Sequence, residues 1–154
     1  MSENNQANRP EQVFQIQKVY IKNASLESPS TPEIFTHEFQ PQLEVDLNVE
    51  SQALDAESGV YHVVVRVTVT TKVEEKVAFL CEVEQAGIFT LMGFNEEELA
   101  YLLGAQCPNT LFPYAREAIS DLVARGGFPQ LLLEPVNFDA MYASHLQQQA
   151  QAAQ

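Results

Sequence analysis

Strict alternation of apolar and polar side chains runs through the first part of the chain, and helical spacing replaces it near its last third. Leu43, Val45, Leu47 and Val49 alternate with Glu44, Asp46, Asn48 and Glu50. Period two of this kind predicts a strand with one apolar and one acidic face. Tyr61, Val63, Val65, Val67 and Val69 share one face of a strand over residues 61–70, and their β-branched content supports it. Residues 77–90 form another, with Gly87 expected as a bend or bulge. Over residues 14–22 the phase slips: Phe14 and Ile16 fall on one face, Val19 and Ile21 on the other. A bulge, or a strand covered on both faces, would absorb the slip.

Between the first two strands, residues 25–41 hold Ser25, Ser28, Pro29, Ser30, Pro32 and Pro41. That content predicts a long crossing loop rather than a tight hairpin. It also carries Leu26, Ile34, Phe35 and Phe39, and ordered loops with large apolar residues are often functional. Residues 51–59 read as a polar connection and residues 73–76 as a turn. The fold class is therefore α+β, with a four-stranded antiparallel sheet followed by helices on one side.

Asn95 can cap a helix, with Glu98 at the capping-box position. Leu99, Leu102 and Leu103 form a short stripe that Gly104 should end. Pro108 is expected to open a longer helix carrying Leu111, Phe112, Ala115, Ile119, Leu122 and Val123, with Pro113 near its start and Gly126-Gly127 at its end. Residues 131–135 read as extended, and a last helix over 136–151 is capped by Asn137 or Asp139. Three segments follow: a polar, disordered stretch over 1–12, one domain over 13–148, and a flexible Gln/Ala tail over 149–154.

Composition narrows the function classes. The 154 residues suffice for one domain with a modest core. A net charge of -13 disfavours nucleic acid and anionic lipid and favours basic partners. The polar N-terminus has no apolar stretch typical of a signal peptide, and no apolar run is long enough to span a bilayer, so a cytoplasmic location is expected. Cys81 and Cys107 are expected as reduced thiols.

Catalytic signatures are missing. No Gly-rich loop ends in Gly-Lys-Ser/Thr, and no dinucleotide fingerprint follows a strand. His37, His62 and His145 are scattered, without local metal-ligand spacing. Cys107, just before Pro108, could sit at a helix N-terminus, where the dipole lowers a thiol pKa; the competing reading is a small buried hydrophobe. No enzyme activity, cofactor or metal site is expected. The apolar stripe over 111–123 reads as core, yet one sheet with few helices leaves apolar surface for oligomerisation or ligand binding.

Several strings resemble the SecB family of protein-export chaperones. They are Cys107-Pro108-Asn109-Thr110-Leu111-Phe112-Pro113-Tyr114-Ala115-Arg116-Glu117, then Gly127-Phe128-Pro129-Gln130-Leu131, and Pro135-Val136-Asn137-Phe138-Asp139-Ala140. Phe14-Gln15-Ile16-Gln17, Ala78-Phe79-Leu80-Cys81-Glu82-Val83 and Ala86-Gly87-Ile88-Phe89 match too, in order, across residues 13–148.

The resemblance implies a homotetramer, a dimer of dimers with helices between the dimers. It implies an ATP-independent holdase that binds unfolded secretory precursors in the cytoplasm and passes them to the SecA motor ATPase. For the precursor groove, the apolar pattern offers Leu43, Val45 and Leu47 on a strand, Phe112, Ile119, Leu122 and Val123 on the long helix, and Phe128, Leu131, Phe138 and Met141 beyond it. For SecA, whose basic zinc-binding tail meets an acidic sheet face, Glu27, Leu80 and Glu82 match the family positions. Asn23 stands where an acidic residue is frequent, and Phe39 where a tryptophan is frequent; the Gln/Ala tail replaces an acidic one. A SecB-like guardian of a toxin–antitoxin pair would keep the groove and relax the SecA face.

Overall fold

All four strands form in the computed structural model, which describes residues 10–153, and each is longer than its alternation marks. They are β1 (Val13–Glu27), β2 (Gln42–Asp55), β3 (Val60–Val73) and β4 (Lys76–Met92). They make one antiparallel sheet in the order β1-β4-β3-β2. The chain thus crosses from one edge of the sheet to the other between β1 and β2, then returns as a meander, which is Greek-key order. The crossing loop carries a short 3-10 turn, Glu33–Thr36, whose Ile34 is buried and anchors the loop.

The phase slip in β1 is resolved by two bulges. Gln17 and Lys22 are the extra residues, because the register with β4 shifts between Ile16 and Lys18 and again between Ile21 and Asn23. Each shift reverses the side-chain parity. As a result Phe14, Ile16, Val19, Ile21, Ala24 and Leu26 all oppose odd-numbered β4 residues and share one face. Gly87 is not the bulge: it pairs in register with Val19 and Val63. β2 does not end at Glu50 but runs on through residues 51–55, because its pairing with β3 continues to Asp55.

Helices cover the face that carries the odd-numbered residues of β3 and β4. The first helix, α1 (Glu96–Tyr101), is capped by Asn95, whose side chain accepts from the Glu98 N–H at 2.8 Å. The Glu98 carboxylate accepts from Gln12 Nε2, at 3.1 Å. Gly104 does not stop the helix. A π-helical turn, Leu102–Gln106, carries it directly into α2 (Cys107–Arg125), with the Cys107 N–H donating to the Leu102 carbonyl five residues back. Pro108 has no N–H for the ladder, so the turn before it can widen without losing a bond there. Gly104 serves packing instead, because a Cβ would stand 2.6 Å from the Tyr142 ring. Since the helix is continuous from Glu96, Pro113 lies inside it, on an exposed face where water can reach the freed Asn109 carbonyl.

Gly126-Gly127 ends α2 in a Schellman arrangement. The Gly127 N–H donates to the Ala124 carbonyl at 3.1 Å and the Phe128 N–H to Val123 at 3.3 Å, with Gly127 at a φ of 89°. Residues 129–137 form an irregular connection, and α3 (Phe138–Ala152) follows, capped by Asn137 through the Ala140 N–H at 3.0 Å. α3 continues through most of the stretch read as a flexible tail. The stretch read as disordered lies mainly outside the described residues; residues 10–12 are exposed and irregular.

The core lies between α2 and the sheet. Leu111, Ala115, Ile119 and Val123 are fully buried with Val63, Val65, Val67, Val69, Cys81 and Val83. Burying a Leu, Ile or Val contributes about 1.5–3 kcal/mol each, so this layer supplies most of the fold's stability. No described helix is long and apolar enough to cross a membrane.

Candidate functional site

α2 packs mainly on the two central strands, touches β1 less, and leaves several apolar residues of both edge strands exposed on the same face. On the β2 flank, Leu43 is 46% exposed and Val45 48% exposed. Beside them the crossing loop meets the end of α2 in an aromatic cluster. The Phe128 ring lies 4.9 Å from Phe79, 5.2 Å from Phe35 and 6.2 Å from Phe39, centroid to centroid. Phe79 and Phe128 are buried, Phe39 is half-buried and Phe35 is half-exposed. Further along β2, a cleft of about 510 Å³ opens between the strand and α3, lined by Leu47, Val49, Leu103, Phe138, Met141 and Tyr142. Aromatic cluster, exposed strand flank and cleft make a largely apolar strip along β2.

The strip divides the predicted groove residues. Leu43, Val45 and Met141 are exposed, and Leu47, Leu122 and Leu131 are partly exposed. Ile119 and Val123 are fully buried against the sheet and offer no atom to a bound chain. Phe112, Phe128 and Phe138 are at most 6% exposed: Phe112 packs edge-on to Phe138 at 5.8 Å, and Phe128 forms the floor of the aromatic cluster. These five belong to the core. Helical periodicity marks burial but does not say whether the burying partner is the protein itself. The exposed aromatic that the groove set lacks is Phe35. Its signal was a large apolar residue in a proline-rich loop, next to buried Ile34 in the 3-10 turn.

The β1 flank is also apolar, with Phe14, Ile16 and Ile21 between 39% and 51% exposed. A depression of about 980 Å³ lies between β1 and α2, lined in part by Val19, Ile21, Tyr114 and Ser120. The Ser120 hydroxyl is buried there with no hydrogen-bond partner among the described residues.

The opposite sheet face is polar. Glu27 lies opposite Leu80, Ser25 opposite Glu82, and Asn23 opposite Glu84, so the four residues expected to receive SecA occupy neighbouring rungs. Glu44, Asp46 and Glu50 of β2 share this face, by register with Thr70, Thr68 and Val64. Arg66 stands in its centre and is not among the sequence-derived site residues. Its guanidinium bonds Glu84 at 2.9 Å and reaches Glu82 at 3.5 Å; Glu84, then Glu50 and Glu82 more weakly, raise its pKa. Glu82 is therefore partly neutralised, whereas Glu27 has no ion-pair partner among the described residues. Near the β1 edge, Tyr20 bridges over Ala86 to His62, 2.7 Å from its Nε2.

Of the two readings of Cys107, the structure fits the small buried hydrophobe and not the reactive thiol. Burial pushes Cys107 up to about 12 and Cys81 up to about 11. Because α1 runs straight into α2, Cys107 sits in the middle of a helix, where no free N–H groups stabilise a thiolate. No group of three metal-ligating side chains occurs among the described residues.

A family model described as preprotein translocase subunit SecB matches residues 5–149. The protein-export protein SecB of Hydrogenovibrio crunogenus is 72% identical over 152 residues, covering 99% of this chain and 98% of its own length. The protein of the same name from Methylococcus capsulatus is 52% identical over 154 residues, covering 100% and 97%. Among solved structures, a SecB-like chaperone of Mycobacterium tuberculosis, in complex with a ChAD peptide from an antitoxin, superposes with a TM-score of 0.66. It is 20% identical, covers 86% of this chain and 94% of its own, and supports the fold.

Proposed function

The chain belongs to the SecB family, and from that premise we propose that it is an ATP-independent holdase. It binds unfolded secretory precursors in the cytoplasm, keeps them competent for translocation and hands them to SecA. The observation that carries the reading is the uncovered apolar strip along β2, where Leu43, Val45 and Phe35 are about half-exposed beside a packed core. An unfolded chain offers apolar side chains that its folded form hides, so such a strip binds the former and slows folding by mass action. Contacts that are apolar and few in directional bonds tolerate many sequences.

The two faces and two flanks divide the work. The β1 flank, with its free strand edge and exposed Phe14, Ile16 and Ile21, takes a second copy in a tetramer built as a dimer of dimers. The acidic face receives the basic tail of SecA at Glu27, Leu80 and Glu82, with Asn23 supplying no charge at its rung. Curated relatives at 72% and 52% identity carry the protein-export name, which favours export over the guarding of an antitoxin.

The test is size-exclusion chromatography with light scattering, on the protein mixed with an unfolded secretory precursor. A tetramer that forms a stable complex with the unfolded precursor and not with its folded form is expected. A tetramer that captures neither overturns the holdase reading.

A further inference from the structure

The crossing loop is bonded to itself and hardly at all to the rest of the protein. Among the described residues, every hydrogen bond made by residues 28–41 stays inside that stretch. The Thr31 hydroxyl donates to the Ser28 carbonyl at 2.9 Å, the Ile34 N–H to Ser30 at 2.9 Å and the Phe35 N–H to Pro32 at 3.0 Å. The Thr36 hydroxyl donates to the Glu33 carbonyl at 2.7 Å. A loop tied internally in this way moves as a unit about its ends. Its attachments to the body are apolar: Ile34 in the core, and Phe35 and Phe39 over Phe128. One contact differs. His37 Nδ1 stands 3.3 Å from the Glu74 carboxylate in the β3–β4 turn, the loop's single polar tie to the body among the described residues.

That tie attracts fully only while the ring carries its proton, and a histidine changes charge between about pH 5 and 8. The charged groups around the ring are Glu33 from the loop, Glu74 from the turn and Lys76 from the start of β4. A cavity of about 420 Å³ beneath them, lined by Ser30, Glu33, Ile34, His37 and Lys76, gives the loop room to shift. From these observations we infer that the crossing loop is a flap over the aromatic cluster, with the His37–Glu74 pair as its pH-responsive latch. With His37 protonated the flap is down. Phe35 then lies against the bare backbone of Gly127, where a Cβ would stand 3.2 Å from its ring, and Phe39 covers Phe128. As pH rises and the proton leaves, the flap lifts about its Ile34 anchor and opens a slot between Phe35 and Phe128 for an apolar client side chain. The inference deepens the holdase reading, by giving its apolar strip a means of regulation, and rests on it.

The chain contains no tryptophan, so Phe39→Trp places a sole emitter on the flap. Acrylamide quenching of that emitter in the free, full-length protein reads flap position without any client. Stopped-flow association with reduced, S-alkylated α-lactalbumin reads capture. Both are followed from about pH 5.5 to 8, alone and with His37→Gln or Glu74→Gln added. The expected result is quenching that rises with pH in the Phe39→Trp protein and is already high and flat in both latch variants. Capture at about pH 5.5 should be about two- to fivefold faster in the latch variants, the scale of a partly exposed ion pair, and the difference should vanish by about pH 8. Quenching that is flat with pH, or that follows the same curve with and without the latch residues, would overturn the latch. Quenching that follows the latch while capture does not would overturn the gating. If no complex forms with the unfolded client at any pH, the holdase reading falls and the gating with it, whereas the quenching profile still decides the latch.

Discussion

Leu111 of α2 lies directly over the bare backbone of Gly87 in β4: a Cβ at that position would stand 2.9 Å from Leu111 Cδ2 and 2.9 Å from the Phe89 ring. Both neighbours are fully buried, so neither can swing away. Gly87 therefore sets how closely the long helix approaches the sheet, and with it the width of the two flanks. Gly87→Ala is expected to destabilise the fold by about 1–3 kcal/mol, the usual cost of overpacking. Urea denaturation with an unchanged slope and a lowered midpoint would show it; an unchanged midpoint would mean that the helix rides further from the sheet in solution.

The β3–β4 turn offers a gain of comparable origin. Glu74 and Glu75 both have positive φ, at 49° and 67°, in the left-handed region where side chains crowd the backbone. Glu75→Gly is expected to raise stability by about 1 kcal/mol, since glycine adopts this conformation without steric cost. Glu74 is kept, because it reaches His37 of the crossing loop at 3.3 Å. Thermal and urea midpoints that fall instead would exclude the tight turn.

Period two revealed the strands of this fold, because β3 and β4 turn one apolar face to the core and β2 continues that face as a partly exposed apolar strip, while the opposite face is more polar. β1 was harder to read, since two bulges reverse its parity and sequence marks only that a slip occurs. The run-through from α1 to α2 was hidden for a similar reason: Gly104 and Pro108 carry stop and start chemistry, yet one accommodates Tyr142 and the other sits just past a π-turn. Of the residues that pattern proposed for a groove, Leu43, Val45 and Met141 are exposed while Ile119 and Val123 are buried. Pattern could not separate the two groups, because burial against the chain's own sheet and burial against a client leave the same apolar spacing. Arg66 was invisible, since its importance comes from two carboxylates on a neighbouring strand.

That distinction is measurable. Phe35→Ala and Leu43→Thr are expected to weaken capture of an unfolded client by about five- to tenfold each, as loss of a partial apolar contact implies. Their stability should change by no more than about 1 kcal/mol. Ile119→Ala should instead cost about 2–5 kcal/mol of stability, because it opens a cavity in a closed core. Comparable client losses from all three in the still-folded proteins would return Ile119 to the groove.

The two thiols predict a chemical silence. With Cys107 pushed up to about 12 and Cys81 up to about 11 by burial, the thiolate fraction near neutral pH is minute. Neither should react with an aromatic disulfide reagent in the folded protein at about pH 8, and both should react at once in urea. Rapid native-state labelling of Cys107 would revive the thiol as a chemical group.

His62 gives stability a pH dependence of definite sign. Burial, and after it the Lys22 charge, lowers its pKa from the ordinary 6.5. The unfolded chain therefore takes up the proton first. The stabilisation is complete above about 6.5, declines as pH falls from there towards the folded value, and levels off below it. Tyr20 and Lys22 face the ring from β1, and Gln52 and Ile88 flank it from β2 and β4. His62→Gln should flatten the urea midpoint between about pH 7 and pH 5.5, where the parent declines. An equal decline in both proteins would show that His62 does not carry the effect.

On the acidic face, charge that is already paired should count for less than charge that is free. Glu82 shares Arg66 with Glu84, whereas Glu27 stands two rungs from Asn23 with no cation beside it among the described residues. A basic tail docking there gains more from Glu27, because no existing bond must be given up. Glu27→Gln is therefore expected to weaken SecA-tail binding several-fold at low salt, and Glu82→Gln less, while Asn23→Asp strengthens it by adding a charge at the next open rung. All three differences should shrink towards nothing near 1 M salt, where screening acts over about 3 Å. Titration of the zinc-loaded tail peptide by calorimetry across a salt series measures each of them. If Glu82→Gln proves the more damaging change, then Arg66 must release Glu82 on docking and turn to Glu84 alone, and Arg66→Gln would raise affinity rather than lower it.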